Sequence, residues 1–247
     1  MMGEELFDPL DAEPIARKRL VLFYLVDVSG SMRGEKIGIV NQVMEEVIPE
    51  LRNIGGADSD IHLAVITFGE GCQWMYSEPV SVETFRWERL SADGMTPMGA
   101  AFRELNSKMS RSAFLSAPHL SFAPVVFMLT DGYPTDDYAS GLEALKGNKW
   151  FRSSLKIALG IGEAFDSEVL ESFTGNPELV LKATNGKRLA EAIRFASVTS
   201  SAVGSRSIGF DPSGEMSEES CRLKEQAFID MKNDALGDED EESDSGW

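Results

Sequence analysis

The chain is poor in the residue types that most soluble enzymes and nucleic-acid binders lean on. Its 247 residues include two cysteines and two histidines, and 23 Lys and Arg face 41 Asp and Glu. Cys72 and Cys221 make no disulfide framework, and without a CxxC pair or a Cys/His cluster there is no zinc signature. A formal net charge of −18 argues against the Lys/Arg neutralisation of phosphates on which nucleic-acid binding rests. The nearest basic cluster, Arg17-Lys18-Arg19, leads straight into apolar residues. The longest apolar run, Leu20 to Val26, has seven residues and ends at Asp27; a bilayer span needs about 20. The first residues, MMGEELFDPLDAE, are acidic, unlike the basic start of a signal peptide. The expectation is a cytoplasmic chain with neither membrane nor nucleic acid as partner. There is no G-x-x-x-x-G-K-[ST] loop, and Ser29 does not sit in a G-x-S-x-G elbow.

The acidity is uneven. Residues 1–16 carry five acidic and no basic side chains, and residues 211–247 carry 13 acidic and three basic. The stretch between them is nearly balanced, at net −3. This divides the chain into an acidic extension (1–16), a globular domain (17–203), and a linker, helix and acidic tail (204–247). Within the domain, short apolar runs alternate with amphipathic patterns. Leu20–Val28, Ile61–Phe68, Pro124–Leu129 and Leu155–Ile161 read as buried strands, with a short one near Leu179–Leu181 and an edge strand within 69–81. Residues 36–53, 97–110, 138–150, 165–174 and 187–199 read as helices. Strands alternating with helices predict an α/β fold, a mostly parallel central sheet covered on both faces. Residues 201–215 are Ser/Gly-rich and read as linker, and 217–235 as a helix with Leu223, Ala227, Phe228, Met231 and Ala235 on one face.

Three polar clusters fall where this architecture binds ligands, at strand carboxyl ends and at a helix start that can face them. They are Asp27-Val28-Ser29-Gly30-Ser31, Asp93-Gly94-Met95-Thr96-Pro97 and Leu129-Thr130-Asp131-Gly132. Asp27, Ser29, Ser31, Thr96 and Asp131 together offer oxygen only, which suits a hard cation such as Mg²⁺ or Mn²⁺ in preference to Ca²⁺. Two carboxylates at most balance a dication; if they bind through water, the ion stays strongly electrophilic and a sixth position favours an incoming carboxylate from a partner.

Each cluster also has a structural alternative. The Asp27–Ser31 turn can cap the following helix, and Thr96-Pro97 reads as an N-cap with Pro at N1. Asp136 and Asp137 read as turn or helix-start residues rather than ligands. His62 and His119 lack a neighbouring nucleophile and read as structural. Trp74, Tyr76, Phe85 and Trp87 read as core and edge packing, with a partner-binding surface as the other reading.

Taken together the five residues resemble the von Willebrand factor A domain and its metal-ion-dependent adhesion site, whose pattern is DxSxS, then Thr, then Asp. The resemblance covers roughly residues 18–200. It implies a Rossmann-like doubly wound fold, Ser29, Ser31 and Thr96 as direct ligands, and Asp27 and Asp131 linked through water. The strings GMTPMGAAF (94–102) and LTDGYPTDD (129–137) are similar to the intracellular bacterial branch tied to tellurite resistance. That implies a stress-related complex with kinase- and phosphatase-like partners. Met95 and Met98 stand where that branch has smaller residues.

The function expected is a non-enzymatic module in which a partner protein supplies an Asp or Glu carboxylate to the metal. One alternative is a Mg²⁺-dependent phosphoryl-transfer hydrolase, which would need a lysine positioned at the ion; Lys36 and Lys108 read as pointing elsewhere. The other is a self-assembling or autoinhibited scaffold that uses the acidic C-terminal tail.

Overall fold

The computed structural model describes residues 17–54, 59–115, 121–205 and 218–236. The acidic extension 1–16, His119, most of the expected linker and the tail after 236 lie outside these residues. Strands β1 (Lys18–Asp27), β2 (Ser59–Phe68), β5 (Val125–Thr130), β6 (Leu155–Ile161) and β7 (Val180–Ala183) form a parallel sheet. Two short strands, β3 (Cys72–Trp74) and β4 (Val80–Ser81), pair antiparallel to β2. The spatial order is β3-β2-β1-β5-β6-β7, with β4 also on β2. The expected mostly parallel sheet flanked by helices is therefore present.

The apolar runs of β1 and β5 are continuous because both faces of the sheet are covered. Leu20, Leu22, Tyr24 and Val26 pack under α1 (Glu35–Ile54) and α6 (Gly186–Gly204). Val21, Phe23 and Leu25 belong to the opposite core with α2 (Met98–Lys108), α3 (Tyr138–Lys146), α4 (Lys149–Ser153) and α5 (Ser167–Thr174). The chain changes winding direction between β1 and β5, the crevice where open α/β sheets bind ligands.

Three expectations need correction. The helix expected over 138–150 is two helices, because Asn148 caps α4 by accepting from the Trp150 amide at 2.9 Å. Residues 201–204, expected in a linker, end α6. Ser200 and Ser201 are buried with hydroxyls turned onto the Ser197 carbonyl, and a Cβ on Gly204 would sit 3.1 Å from Leu20 and Val125. Small residues here mark close helix–sheet packing rather than a loose chain. Of the stripe expected on the last helix, α7 (Glu218–Leu236), Phe228 is buried and Ala227 half-buried, but Leu223, Met231 and Ala235 are exposed, and Ser220, Lys224 and Ile229 are buried in their place. Phe228 packs on Phe195 and the Lys224 ammonium donates to the Gly204 carbonyl at 3.0 Å, while Leu223 and Met231 stay exposed. α7 thus lies at the pole formed by the amino ends of the strands: Cys221 reaches Ser153, just before β6. Among the described residues no helix is long and apolar enough to cross a membrane.

Helices α2 and α3 touch through glycine, since a Cβ on Gly141 would lie 2.6 Å from the Gly99 carbonyl. The start of α2 has Pro97 at its N-cap and no side-chain cap of its own. Its open amides are met from across the contact by Asp136, which accepts from Gly99 and Ala100 at 2.8 Å each. Asp137 caps α3. Both aspartates are helix-start groups, and Asp136 serves the neighbouring helix.

Replacing Asp136 by Ala should lower the unfolding free energy by roughly 1–2 kcal/mol, the scale of a lost cap, read as a shift in the urea midpoint. Burial pushes the Lys224 ammonium down to about 8. Between about pH 8 and pH 10 the unfolded chain holds a proton there that the folded chain has released, so this group makes stability rise with pH. Wild type should therefore gain on the order of 2 kcal/mol relative to Lys224→Met across that window, read by urea melts at several pH values.

Candidate metal centre

The carboxyl ends of β1 and β5 place Asp27 and the Asp131 turn side by side. The Thr130 hydroxyl donates across the strand pair to Asp27 Oδ2 at 2.5 Å, and the Ser29 amide donates to Asp27 Oδ1 at 2.8 Å. Asp27 is completely buried, and burial raises its carboxyl above the ordinary range against the pull of these bonds. A nearby Asp131 adds to the rise. Ser29 sits at the cap of a short 3-10 turn (Gly30–Met32), yet its side chain makes no cap bond. Its hydroxyl lies 3.0 Å from the Ser31 hydroxyl, and Ser31 donates to Asp131 Oδ1 at 2.7 Å.

Thr96 comes to the same place on the loop before α2. A Cβ on Gly132 would stand 3.4 Å from the Thr96 hydroxyl and 3.8 Å from that of Ser31, so the two oxygens border one small space. The Thr96 backbone is clamped on both sides: its amide accepts no freedom, donating to the Thr135 hydroxyl at 3.1 Å, and its carbonyl takes the amides of Met98 and Thr135. Because Asp136 caps α2, the Thr96 hydroxyl is not spent on that task.

Backbone packing holds the loops together. Gly30 donates to the Gly94 carbonyl at 3.0 Å and Asp93 to the Val28 carbonyl at 2.7 Å. Gly94 has φ +88, and a Cβ there would strike the Glu70 amide at 2.6 Å, so only glycine fits. Arg33 and Asp93 tie the loops again on the outside.

The sequence reading of Lys36 is overturned. Its Nζ donates to Asp131 Oδ2 at 2.7 Å, with the Asp131 side chain fully buried. A signal for this was present: a lysine in the first turn of α1 opposes the helix dipole and needs an acidic partner. Two large exposed side chains lie close in the chain to ligand candidates, Met95 next to Thr96 and Tyr133 two residues after Asp131. Met95 is 64% and Tyr133 59% exposed, and they are two of only four large apolar side chains so exposed among the described residues.

Other candidates fall away from the centre. His62 bonds Asp60 at 2.8 Å and the Pro79 carbonyl at 3.2 Å, a structural role. The aromatic stretch is used internally: Trp74 donates to Glu104, Tyr76 stacks edgewise on Phe85, and Trp87 donates to Asn41. Among the described residues no group of three or more His, Cys, Asp or Glu converges as ligands. What converges is three hydroxyls and two carboxylates, an all-oxygen set that fits a hard divalent cation.

The sequence profile described as von Willebrand factor type A domain matches residues 22–195. No curated protein matches the chain. Among solved structures, a von Willebrand factor type A protein from Catenulispora acidiphila shares 21% identity at TM-score 0.56, over 74% of this chain and 43% of that one. The ArnB paralog VWA2 from Sulfolobus acidocaldarius shares 15% at 0.54, over 71% and 44%. Proximal thread matrix protein 1 from the mussel byssus, with zinc in its MIDAS motif, shares 16% at 0.52, over 74% and 46%. This chain spans less than half the length of each. At these identities the likeness speaks for the fold, and the profile speaks for the family. With the profile covering well over half of its residues, the chain belongs to the von Willebrand factor type A domain family.

Proposed function

We propose that this protein is a divalent-cation-dependent adaptor that binds an Asp or Glu carboxylate of a partner protein, and that it is not an enzyme. In this reading Ser29, Ser31 and Thr96 hold Mg²⁺ or Mn²⁺ directly, and Asp27 and Asp131 support it through water. The cation supplies a Lewis-acidic position that a carboxylate oxygen can fill. The observation that carries the reading is the charge balance. Asp27 and Asp131 with Lys36 leave a net of about one negative charge, so a dication makes the centre net positive. An incoming carboxylate then neutralises it, which gives the binding step an electrostatic drive in a largely desolvated place. Met95, adjacent to Thr96 in the chain, and Tyr133, two residues after Asp131, are exposed side chains of the types that carry interface energy. Zinc in the corresponding motif of the mussel protein agrees with a divalent ion here.

Lys36 is the positioned lysine that a phosphoryl-transfer reading asks for. Its charge is committed to Asp131, however, and His62 is committed to Asp60, so no base stands ready beside a nucleophile among these groups. The likeness of the strings at 94–102 and 129–137 to the tellurite-resistance branch supports the further reading that the adaptor serves a cytoplasmic bacterial stress complex with kinase- and phosphatase-like partners.

Affinity capture in Mg²⁺ should yield partners that EDTA releases and that Thr96→Ala fails to hold. Tyr133→Ala should weaken them by about tenfold, the scale of a lost aromatic anchor, with the Mg²⁺ affinity unchanged. Partners indifferent to EDTA and to Thr96→Ala would contradict the reading. Lys36→Met should separate the two steps. Removing a positive charge beside the ion should tighten Mg²⁺ by about tenfold in calorimetry and weaken the carboxylate partner.

A further inference from the structure

The pole opposite the candidate metal centre carries a strongly cationic cleft on an otherwise acidic chain. A cleft of about 1150 Å³ opens between the end of α2, α4, α5 and the first half of α7. Among the described residues, Arg111, Lys146, Lys149, Arg152, Lys156 and Arg222 line it, against Glu225 as the one acidic lining residue. Among the described residues, Arg111, Lys146, Arg152 and Arg222 have no carboxylate within salt-bridge distance. Lys156 is mostly buried, donates to the Ser154 carbonyl at 2.8 Å and stands 5.6 Å from the Phe151 ring centre. The floor is apolar: Phe151 and Phe173 are buried and Trp150 half-buried. Leu223, 55% exposed, follows Arg222 at the margin. Such a cleft suits a segment that is both acidic and apolar.

We propose that the occupant is this chain's own N-terminal segment, residues 1–16. Three observations select it. Its composition is complementary, with Glu4, Glu5, Asp8, Asp11 and Glu13, no basic residue, and Leu6, Phe7 and Leu10 among them. It joins the domain at the right pole. Lys18 begins β1, and its Nζ lies 5.5 Å from the Phe122 ring centre, while Lys224 of α7 lies 5.9 Å from the same ring. The next residue, Ala123, lines the cleft. Its reach is ample, since β1 and β6 are two strand spacings apart, about 10 Å, and 16 extended residues span about 50 Å. The acidic tail after Leu236 fits less well. It departs about 17 Å beyond Glu225 along α7 and brings no aliphatic side chain to the apolar floor.

Docking would neutralise the cleft and cover Trp150 and Leu223, so an acidic partner could enter this face only by displacing the segment. The inference stands apart from the adaptor reading, because it concerns the other pole and is tested without metal. Tethering gives an effective concentration of roughly millimolar, so an intrinsic affinity of about 100 μM suffices for about tenfold protection.

The test is hydrogen exchange by mass spectrometry on the full chain in EDTA, for wild type and for Arg152→Glu/Arg222→Glu. Both positions are exposed, and an unchanged melting temperature would confirm that the variant folds. Amides of residues 1–16 should exchange about tenfold more slowly than an unstructured peptide in wild type. They should reach the peptide rate in the double variant and in 0.5 M NaCl, where screening shortens to a few ångströms. The proposal is overturned if residues 1–16 exchange at the peptide rate in wild type, or if their protection survives the charge reversal. Protection confined to residues 237–247 would name the tail as occupant instead. Protection that grows with protein concentration would name a second copy, and either outcome overturns it.

Discussion

Two carboxylates buried at the ends of adjacent parallel strands are the constraint around which the rest is arranged. Asp27 and Asp131 are almost wholly removed from water, and a buried charge without partners is costly enough to unfold or neutralise a site. The protein answers with short local bonds: Thr130 and the Ser29 amide on Asp27, Ser31 and Lys36 on Asp131. The loops that deliver these groups pack backbone to backbone, through Gly30, Gly69 and Gly94, where a Cβ at 69 or 94 would collide. The geometry is therefore set by the sheet and by glycine contacts rather than by flexible side chains. That gives the hydroxyl oxygens fixed positions, the preorganisation that the proposed cation site requires.

The two poles of the sheet divide the chemistry. At the carboxyl ends of the strands, hydroxyls and carboxylates converge on loops that also carry the exposed Met95 and Tyr133. At the amino ends, lysines and arginines converge over an aromatic floor, and α7 forms one wall. A net charge of −18 conceals this division, since most of the excess acid lies in the terminal segments and not around the cleft.

Much of this was legible in the sequence, for identifiable reasons. The strands at 18–27, 59–68, 125–130 and 155–161 announce themselves because both their faces are buried, so their residues are apolar without alternation. The DxSxS, Thr and Asp residues are legible because each follows a strand or precedes a helix. What escaped depends on contacts remote in sequence. Lys36 meets Asp131 across 95 positions, and Asp136 caps a helix that begins 38 residues earlier. The buried face of α7 is legible at Phe228 and Ala227 but not around them, because hydrophobicity alone ranks Leu223 and Met231 above Lys224. The lysine's stem and its bond to Gly204 decide the matter instead. The Ser-rich end of α6 was misjudged because composition cannot distinguish a small residue that is free from one that lets a helix approach the sheet.

The most direct measurement of the central claim is Mn²⁺ binding followed by electron paramagnetic resonance of the free ion. Wild type should remove one equivalent of the free-ion signal, Mg²⁺ should restore it by competition, and Ser29→Ala/Ser31→Ala should remove none. A double variant that binds Mn²⁺ as wild type does, or a wild type that binds none, would contradict the account.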